Sequence, residues 1–278
     1  MPVFVIMIVC SLLCGCLKEP DYSMEYRERM VVDGAIESGH GAVVALSLNV
    51  PFGDSYDEDD FRQMVVRWAK VTVECEGRHE VLTGRRNDDY PTRFIYTGSE
   101  ILGEVGKSYT LIVEYSGKRW HATTTIPEPA VLSDIVVEEV CDTLCTISAT
   151  LPPIDTPCAV DCALGDSRYF APTLLGVYDS SPMARRIEIS RPLDNLYRGE
   201  YMTHYHAGDT VQLKLRTMGE FEYSYRNLWE NNVINSLNPV FPAVDNLPTN
   251  ISGGAMGVWA GYGVSVERVG VVGDRVAQ

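Results

Sequence analysis

Four cysteines have a spacing that could support metal or disulfide chemistry. Cys141, Cys145, Cys158 and Cys162 form two C-x3-C pairs separated by twelve residues. Four thiolates can hold zinc in a tetrahedral cage, although zinc knuckles usually have C-x2-C pairs. A hairpin centred on residues 151–152 would place both the outer pair and the inner pair directly opposite each other, within disulfide range. The spacing predicts nested disulfides, Cys141 with Cys162 and Cys145 with Cys158, with zinc as the alternative.

A second candidate for metal chemistry is the short sequence around His204, His206 and Asp209. On a strand, alternate residues share a face, so the two imidazoles would point the same way with a carboxylate nearby. A zinc site needs at least three protein ligands and a defined geometry, and no fourth ligand follows from the sequence. Surface histidines are the alternative reading. No nucleophile elbow, phosphate loop or metalloprotease helix occurs, so we assign no catalytic residue and no cofactor.

The elements that must position these residues are mainly β-strands. From residue 29 onward, short alternating apolar runs are separated by Gly, Pro, Asn and Asp, as in a β-sandwich. Two prolines at 127 and 129 interrupt this pattern and predict a domain boundary. We expect an Ig-like sandwich over residues 29–127 and a β-rich, sandwich-like domain over residues 130–278. One helix is predicted near residues 219–237, where aromatic residues recur at helical spacing.

Three aromatic residues of the second domain are candidates for ligand contact: Trp229 in the predicted helix, and Trp259 and Tyr262 in the sequence GVWAGYG. Exposed aromatic side chains are common at interfaces and at sugar sites. Packing in the core is the alternative for each of them.

The charge of the chain limits its partners. The formal net charge is −15, which disfavours nucleic acid and anionic membrane surfaces. The densest acidic stretch, residues 53–60, lacks the spacing and the glycine of an EF-hand, so a solvated loop is favoured over a calcium site.

The N-terminus has the features of an export signal. Residues 2–15 carry no charged side chain, and they are too few to cross a bilayer as a helix, which needs about 20 residues. Leu13-Cys14-Gly15-Cys16 resembles a bacterial lipobox. This resemblance implies that residues 1–15 are a lipoprotein signal peptide, that cleavage occurs before Cys16, and that Cys16 carries fatty acyl chains such as palmitate. Residues 16–28 would then be a tether to the membrane. Several acyl chains on Cys16 would hold the protein there stably.

The chain as a whole resembles the Bacteroidota lipoproteins of the domain of unknown function 4249 family. The resemblance lies in an ordered series of stretches: MVVDGAI at 30–36, AKVTVECEG at 69–77, HAGDTVQLKLRTMGEFEYSY at 206–225 and NISGGAMGVWAGY at 250–262. It implies an outer-membrane lipoprotein at the cell surface, often encoded near TonB-dependent receptors of the SusC type. An accessory or ligand-binding subunit of such a transporter is therefore expected, with its ligand unidentified. The alternatives are a hydrolase, with its site around His204 and His206, and a purely structural envelope protein.

Overall fold

A computed structural model describes residues 27–50, 62–141, 143–193, 203–236 and 247–271. These residues form the following strands and one long helix: β1 Met30–Glu37, β2 Gly41–Leu48, β3 Lys70–Cys75, β4 Arg78–Val81, β5 Thr83–Arg86, β6 Phe94–Leu102, β7 Ser108–Tyr115, β8 Lys118–Thr125, β9 Ser133–Cys141, β10 Leu144–Leu151, β11 Cys158–Leu164, β12 Ala171–Tyr178, β13 Arg185–Ile189, β14 Tyr205–His206, β15 Thr210–Thr217, α1 Glu220–Ser236 and β16 Met256–Gly270. The expected mainly β, sandwich-like fold is confirmed. The signal peptide, Cys16, most of the tether and the acidic stretch at 53–60 lie outside the described residues.

The single long helix is the one that the aromatic spacing predicts. It runs for 17 residues without Gly or Pro, and Glu220 and Glu222 lie in its first turn. Acidic side chains at this position stabilise a helix because they interact favourably with the positive end of its dipole. In the described part of the chain, no helix is both long enough and apolar enough to cross a membrane.

Two sandwiches share one large sheet. Its eight strands lie in the order β12-β11-β15-β16-β1-β2-β6-β5. One half of its inner face packs against a four-stranded sheet of order β4-β3-β7-β8, around a core that includes Ile36, Leu111 and Trp259. The other half packs against strands β9, β10, β13 and β14, around a core that includes Ile147, Leu213 and Leu215.

Strand β16 joins the two sandwiches. Residues up to Tyr262 pair with β1, and residues from Gly263 onward pair with β15. The predicted boundary at residues 127–130 falls in the connection between β8 and β9, and this connection packs on Gly263. A Cβ atom at Gly263 would clash with the carbonyl oxygen of Pro127. The C-terminal strand therefore completes the first sandwich as well as the second, and supplies Trp259 to its core.

The predicted hairpin between the two C-x3-C pairs is wrong. Strand β10 pairs with β9, β13 and β14, whereas β11 pairs with β12 and β15 in the large sheet. The physical reason is that β11 is buried on both faces. A strand of this kind lies in the interior of a sheet, with hydrogen-bonded strands along both edges and other elements packed on both faces. The register that favoured nested disulfides is absent, and the five described cysteines are free thiols.

Candidate functional site: a charged and aromatic cluster on the outer face of the large sheet

Charged side chains occur on strands β11 and β15 of the second sandwich, at positions that face away from the core. In β15, Leu213 and Leu215 face the second core, so Lys214 and Arg216 face the opposite side of the sheet. In β11, Asp161 lies between Val160 and Cys162, which face the same core. This outer face is covered by α1, whose Phe221 and Tyr225 pack against Ala260 and Tyr262 of β16.

Five charged groups form a continuous chain of ion pairs, which we call the ion chain: Lys214, Glu37, Arg216, Asp161 and Arg226. The Nζ atom of Lys214 lies 2.8 Å from Oε2 of Glu37, and Nη2 of Arg216 lies 2.9 Å from Oε1 of the same carboxylate. Asp161 accepts a hydrogen bond from Nη1 of Arg216 and another, 2.7 Å long, from Nη2 of Arg226. Since Glu37 belongs to β1 and Lys214 and Arg216 to β15, the ion chain crosses the junction of the two sandwiches.

The ion chain is protected from water, which strengthens its electrostatics. The Asp161 side chain is fully buried, and that of Arg216 is 15 % exposed. Burial disfavours ionisation of Glu37, but the charges of Arg216 and Lys214 outweigh it and lower the pKa of Glu37 to about 2. A buried ion pair of this kind is costly to disrupt, because the remaining partner is left as an uncompensated charge.

Asp33 differs from every member of the ion chain. Its side chain is exposed to water, and its carboxylate forms no ion pair or hydrogen bond with the described residues. Burial nevertheless raises the pKa of Asp33, while the charges of Arg216 and Arg226 act in the opposite direction. Asp33 is thus exposed on the outer face but close enough to other protein groups to be perturbed by them, and we infer that it lies in a concavity, which we call the Asp33 concavity.

Small apolar residues flank Asp33 on the sheet, and tyrosines from three other parts of the chain lie near it. Asp33 lies directly opposite Ala45 of β2 and Val258 of β16, and Ala35 lies opposite Ala260. The tyrosines are Tyr90 from the β5–β6 loop, Tyr169 from the β11–β12 loop and Tyr225 from α1. Burial raises the pKa of all three phenols, and the charge of Asp33 raises it further, which places them near this carboxylate. The Tyr90 and Tyr169 rings contact each other edge to face, with centroids 5.2 Å apart.

The chain was compared with protein families and with curated proteins. The model of the family described as Domain of unknown function (DUF4249) matches residues 18–268. The chain belongs to this family. No curated protein is similar enough to count as a match. The family match covers every residue of the ion chain and of the Asp33 concavity, so this DUF4249 member carries the whole site within the family region.

The structure brings two of the three candidate aromatic residues to this site. Tyr262 lies beneath Arg216, whose guanidinium is 5.2 Å from the ring centroid, and Trp229 lies 5.9 Å from the guanidinium of Arg226. Trp259 is fully buried on the other face, where its indole N–H donates to the carbonyl oxygen of Tyr109 at 2.9 Å. In this DUF4249 member, Trp259 is a core residue.

The candidate metal ligands have other partners. Oδ2 of Asp209 accepts hydrogen bonds from Arg191, at 2.8 Å, and from the backbone N–H of His206, at 3.0 Å. His204 forms a 2.8 Å hydrogen bond with the hydroxyl of Thr203 through Nδ1. Within the described ranges, no three His, Cys, Asp or Glu side chains are grouped so that they could hold a metal ion.

The four cysteines of the two C-x3-C pairs are divided between the surface and the second core. Cys141 is exposed, whereas Cys145, Cys158 and Cys162 are fully buried. Burial raises the pKa of Cys158 and of Cys162 to about 12. Since the thiolate is the reactive and metal-binding form, these two thiols are poor ligands and poor nucleophiles where they lie.

Sequence reasoning missed Asp33 and all five members of the ion chain, including Glu37 and Asp161. One signal was present: Asp161 interrupts the otherwise apolar run CAVDCAL, and a charge in such a run requires a buried partner. The partners themselves lie 55 and 65 residues away in the sequence, so no local pattern identifies them.

Proposed function

We propose that this protein is a non-catalytic binding subunit, anchored by lipid at Cys16 to the outer membrane and associated with a TonB-dependent transporter of the SusC type. The observation that carries the proposal is the water-exposed Asp33 carboxylate on the outer face, which has no ion-pair partner among the described residues. In the neighbouring ion chain the charged groups pair with one another, whereas Asp33 is exposed to water near three tyrosines. Concave sites with apolar and aromatic walls and a few convergent polar groups are typical of small-molecule binding.

The ligand side of the proposal follows from the chemistry of the concavity. Tyrosine rings offer faces for stacking, and their hydroxyl groups and the Asp33 carboxylate offer hydrogen bonds. The ion chain contributes three basic and two acidic groups, so an ionised Asp33 makes the whole cluster electrically neutral. A neutral cluster favours a polar ligand without net charge over a strongly charged one.

The anchoring side of the proposal is supported by the lipobox-like sequence ending at Cys16 and by membership of the DUF4249 family. Acyl chains on Cys16 would keep the domain at the membrane, and the mechanism of the subunit would be capture and positioning of a ligand.

Affinity purification tests the association with a transporter. A C-terminally tagged full chain is extracted from outer membranes with detergent, and the proteins that accompany it are identified by mass spectrometry. We expect a TonB-dependent barrel in stoichiometric amount. A Cys16→Ala chain is the control, since it should lose both the membrane fraction and the barrel. Recovery of the wild-type lipoprotein alone would refute the association.

Native mass spectrometry tests the binding site. The purified chain is expected to retain a small molecule that the Asp33→Asn variant does not retain, at unchanged folding by circular dichroism. Equal retention by both proteins would exclude the Asp33 concavity as the binding site.

A hydrolase is the second candidate function, and the raised pKa of Asp33 favours it, because a raised pKa moves a carboxyl group toward the range in which it can act as a general acid. Turnover of a retained molecule by the wild type, but not by Asp33→Asn, would replace the binding proposal with this one.

A further inference from the structure

A second surface feature lies far from the ion chain, at one end of the first sandwich. A basin of about 610 Å³ is lined by Arg62, Val65, Arg67, Trp68 and Tyr115, among others. The Trp68 side chain is 90 % exposed, although a tryptophan has a large apolar surface that is normally removed from water. None of the described residues that line this Trp68 basin carries a carboxylate, despite a net charge of −15 for the whole chain.

The Trp68 basin lies at the end of the sandwich where the chain enters the fold. Val65 forms a bridge to Ser47 of β2, and Ser47 pairs with Val31 at the start of β1. Neighbouring strands are about 4.8 Å apart, so Val65 lies roughly 10 Å from the beginning of β1. After Trp68 the chain passes to the second sheet, where Tyr115 marks the same end of β7.

The distance from the lipid site to this end of the molecule is bounded by chain length. Arg27 lies eleven positions after Cys16, and an extended chain of that length spans at most about 40 Å. A lipid on Cys16 therefore holds the chain just before β1, and with it the end that carries the Trp68 basin, within about 40 Å of the membrane surface.

We propose that the Trp68 basin rests in the headgroup region of the membrane that carries the lipid anchor, an inference that depends on the anchoring proposed above. Tryptophan and tyrosine are enriched at membrane interfaces, because one part of each ring system is apolar and another part is polar. The guanidinium of Arg67 can pair with lipid phosphates by charge-assisted hydrogen bonds. The acyl chains attach the protein to the membrane. Contact between the basin and the headgroups fixes the orientation of the protein, and therefore the direction in which the Asp33 concavity faces.

Tryptophan fluorescence tests this docking in the lipidated full chain, reconstituted into phosphatidylcholine vesicles that carry bromine near the top of the acyl chains. Bromine quenches only tryptophans that touch the lipid. Trp120 and Trp259 are buried and Trp229 is partly buried, so Trp68 is the side chain that lipid can reach. We expect bromine-dependent quenching together with loss of quenching by aqueous acrylamide.

Two variants control this measurement. Trp68→Phe should lose the bromine-dependent quenching, whereas Trp229→Phe should keep it. Arg67→Gln should weaken the quenching without removing the protein from the vesicles.

Flotation of the vesicles separates docking from anchoring. Protein that floats with the vesicles while Trp68 stays open to acrylamide would overturn the docking and leave the anchor intact. A Trp68 that is shielded from both quenchers would indicate cover by a second copy of the chain, which would also overturn it. Protein that does not float would refute the anchor, and the docking with it.

Discussion

Strand β15 places Leu213 and Leu215 on one face of the large sheet and Lys214 and Arg216 on the other. The inner face contributes stability through apolar burial in two cores. The outer face carries the ion chain, where stability depends on each charge keeping its partner, and next to it a single carboxylate that has no such partner. The comparison indicates that the same strands supply both the fold and the candidate site, and that Asp33, unlike the members of the ion chain, is not needed to neutralise a buried charge.

A substitution on the inner face should have the largest effect on the free energy of unfolding. Trp259→Ala removes a fully buried side chain and its hydrogen bond to Tyr109, and we expect a loss of about 4 kcal/mol in the free energy of unfolding by urea denaturation. Trp68→Ala is the matched control, because a 90 % exposed tryptophan should change that value by no more than about 0.5 kcal/mol. Similar losses in both variants would contradict the assignment of Trp259 to the core.

A substitution in the ion chain should have the next largest effect on stability. Asp161→Asn leaves the guanidinium groups of Arg216 and Arg226 without their shared counter-charge, so we expect a loss of about 3 kcal/mol. Asp166→Asn serves as control, since its pair with Arg268 is largely exposed and should be worth less than about 0.5 kcal/mol. Equal stability of the two variants would mean that the ion chain does not support the outer face.

The dependence of stability on pH should identify Glu37. Its pKa is about 2 in the folded protein against an ordinary 4.5, so its contribution is complete above about pH 4.5 and is lost as the pH falls toward 2. Glu37→Gln should therefore remove about 2 kcal/mol at neutral pH and flatten the stability profile between pH 5 and 2. Glu114→Gln, which alters an exposed pair with Lys70, should leave the profile nearly unchanged. Parallel profiles for wild type and Glu37→Gln would be evidence against the predicted shift.

Asp33 should show the smallest effect, and with the opposite sign. Because its folded pKa is raised, ionisation of Asp33 costs stability as the pH rises through and above the unfolded value. Asp33→Asn removes this cost and should increase stability at pH 7 by less than about 1 kcal/mol, measured by thermal melting. A clear loss of stability would show that Asp33 is a structural member of the ion chain and would weaken the proposed binding site.

Several features could be predicted from local sequence because local forces decide them. The strands follow from alternation of apolar residues, and α1 follows from aromatic spacing in a segment without Gly or Pro. The turn between β7 and β8, at Ser116 and Gly117, has both residues at positive φ, a conformation that the glycine of a tight hairpin turn favours. These features involve residues that are close in sequence.

Tertiary structure decided everything that depends on distant partners. The pairing of β1 with β16 joins residues more than 200 positions apart, and it determines which charges meet on the outer face. The cysteine spacing favoured a hairpin, but burial of β11 on both faces required partners from elsewhere in the chain. The sequence by itself determined the β-rich class and the positions of its strands, since these depend on side-chain periodicity. Only the fold decided that Glu37 and Asp161 would share Arg216, and that Asp33 would have no ion-pair partner among the described residues, because buried charges are paired between elements that are distant in the sequence.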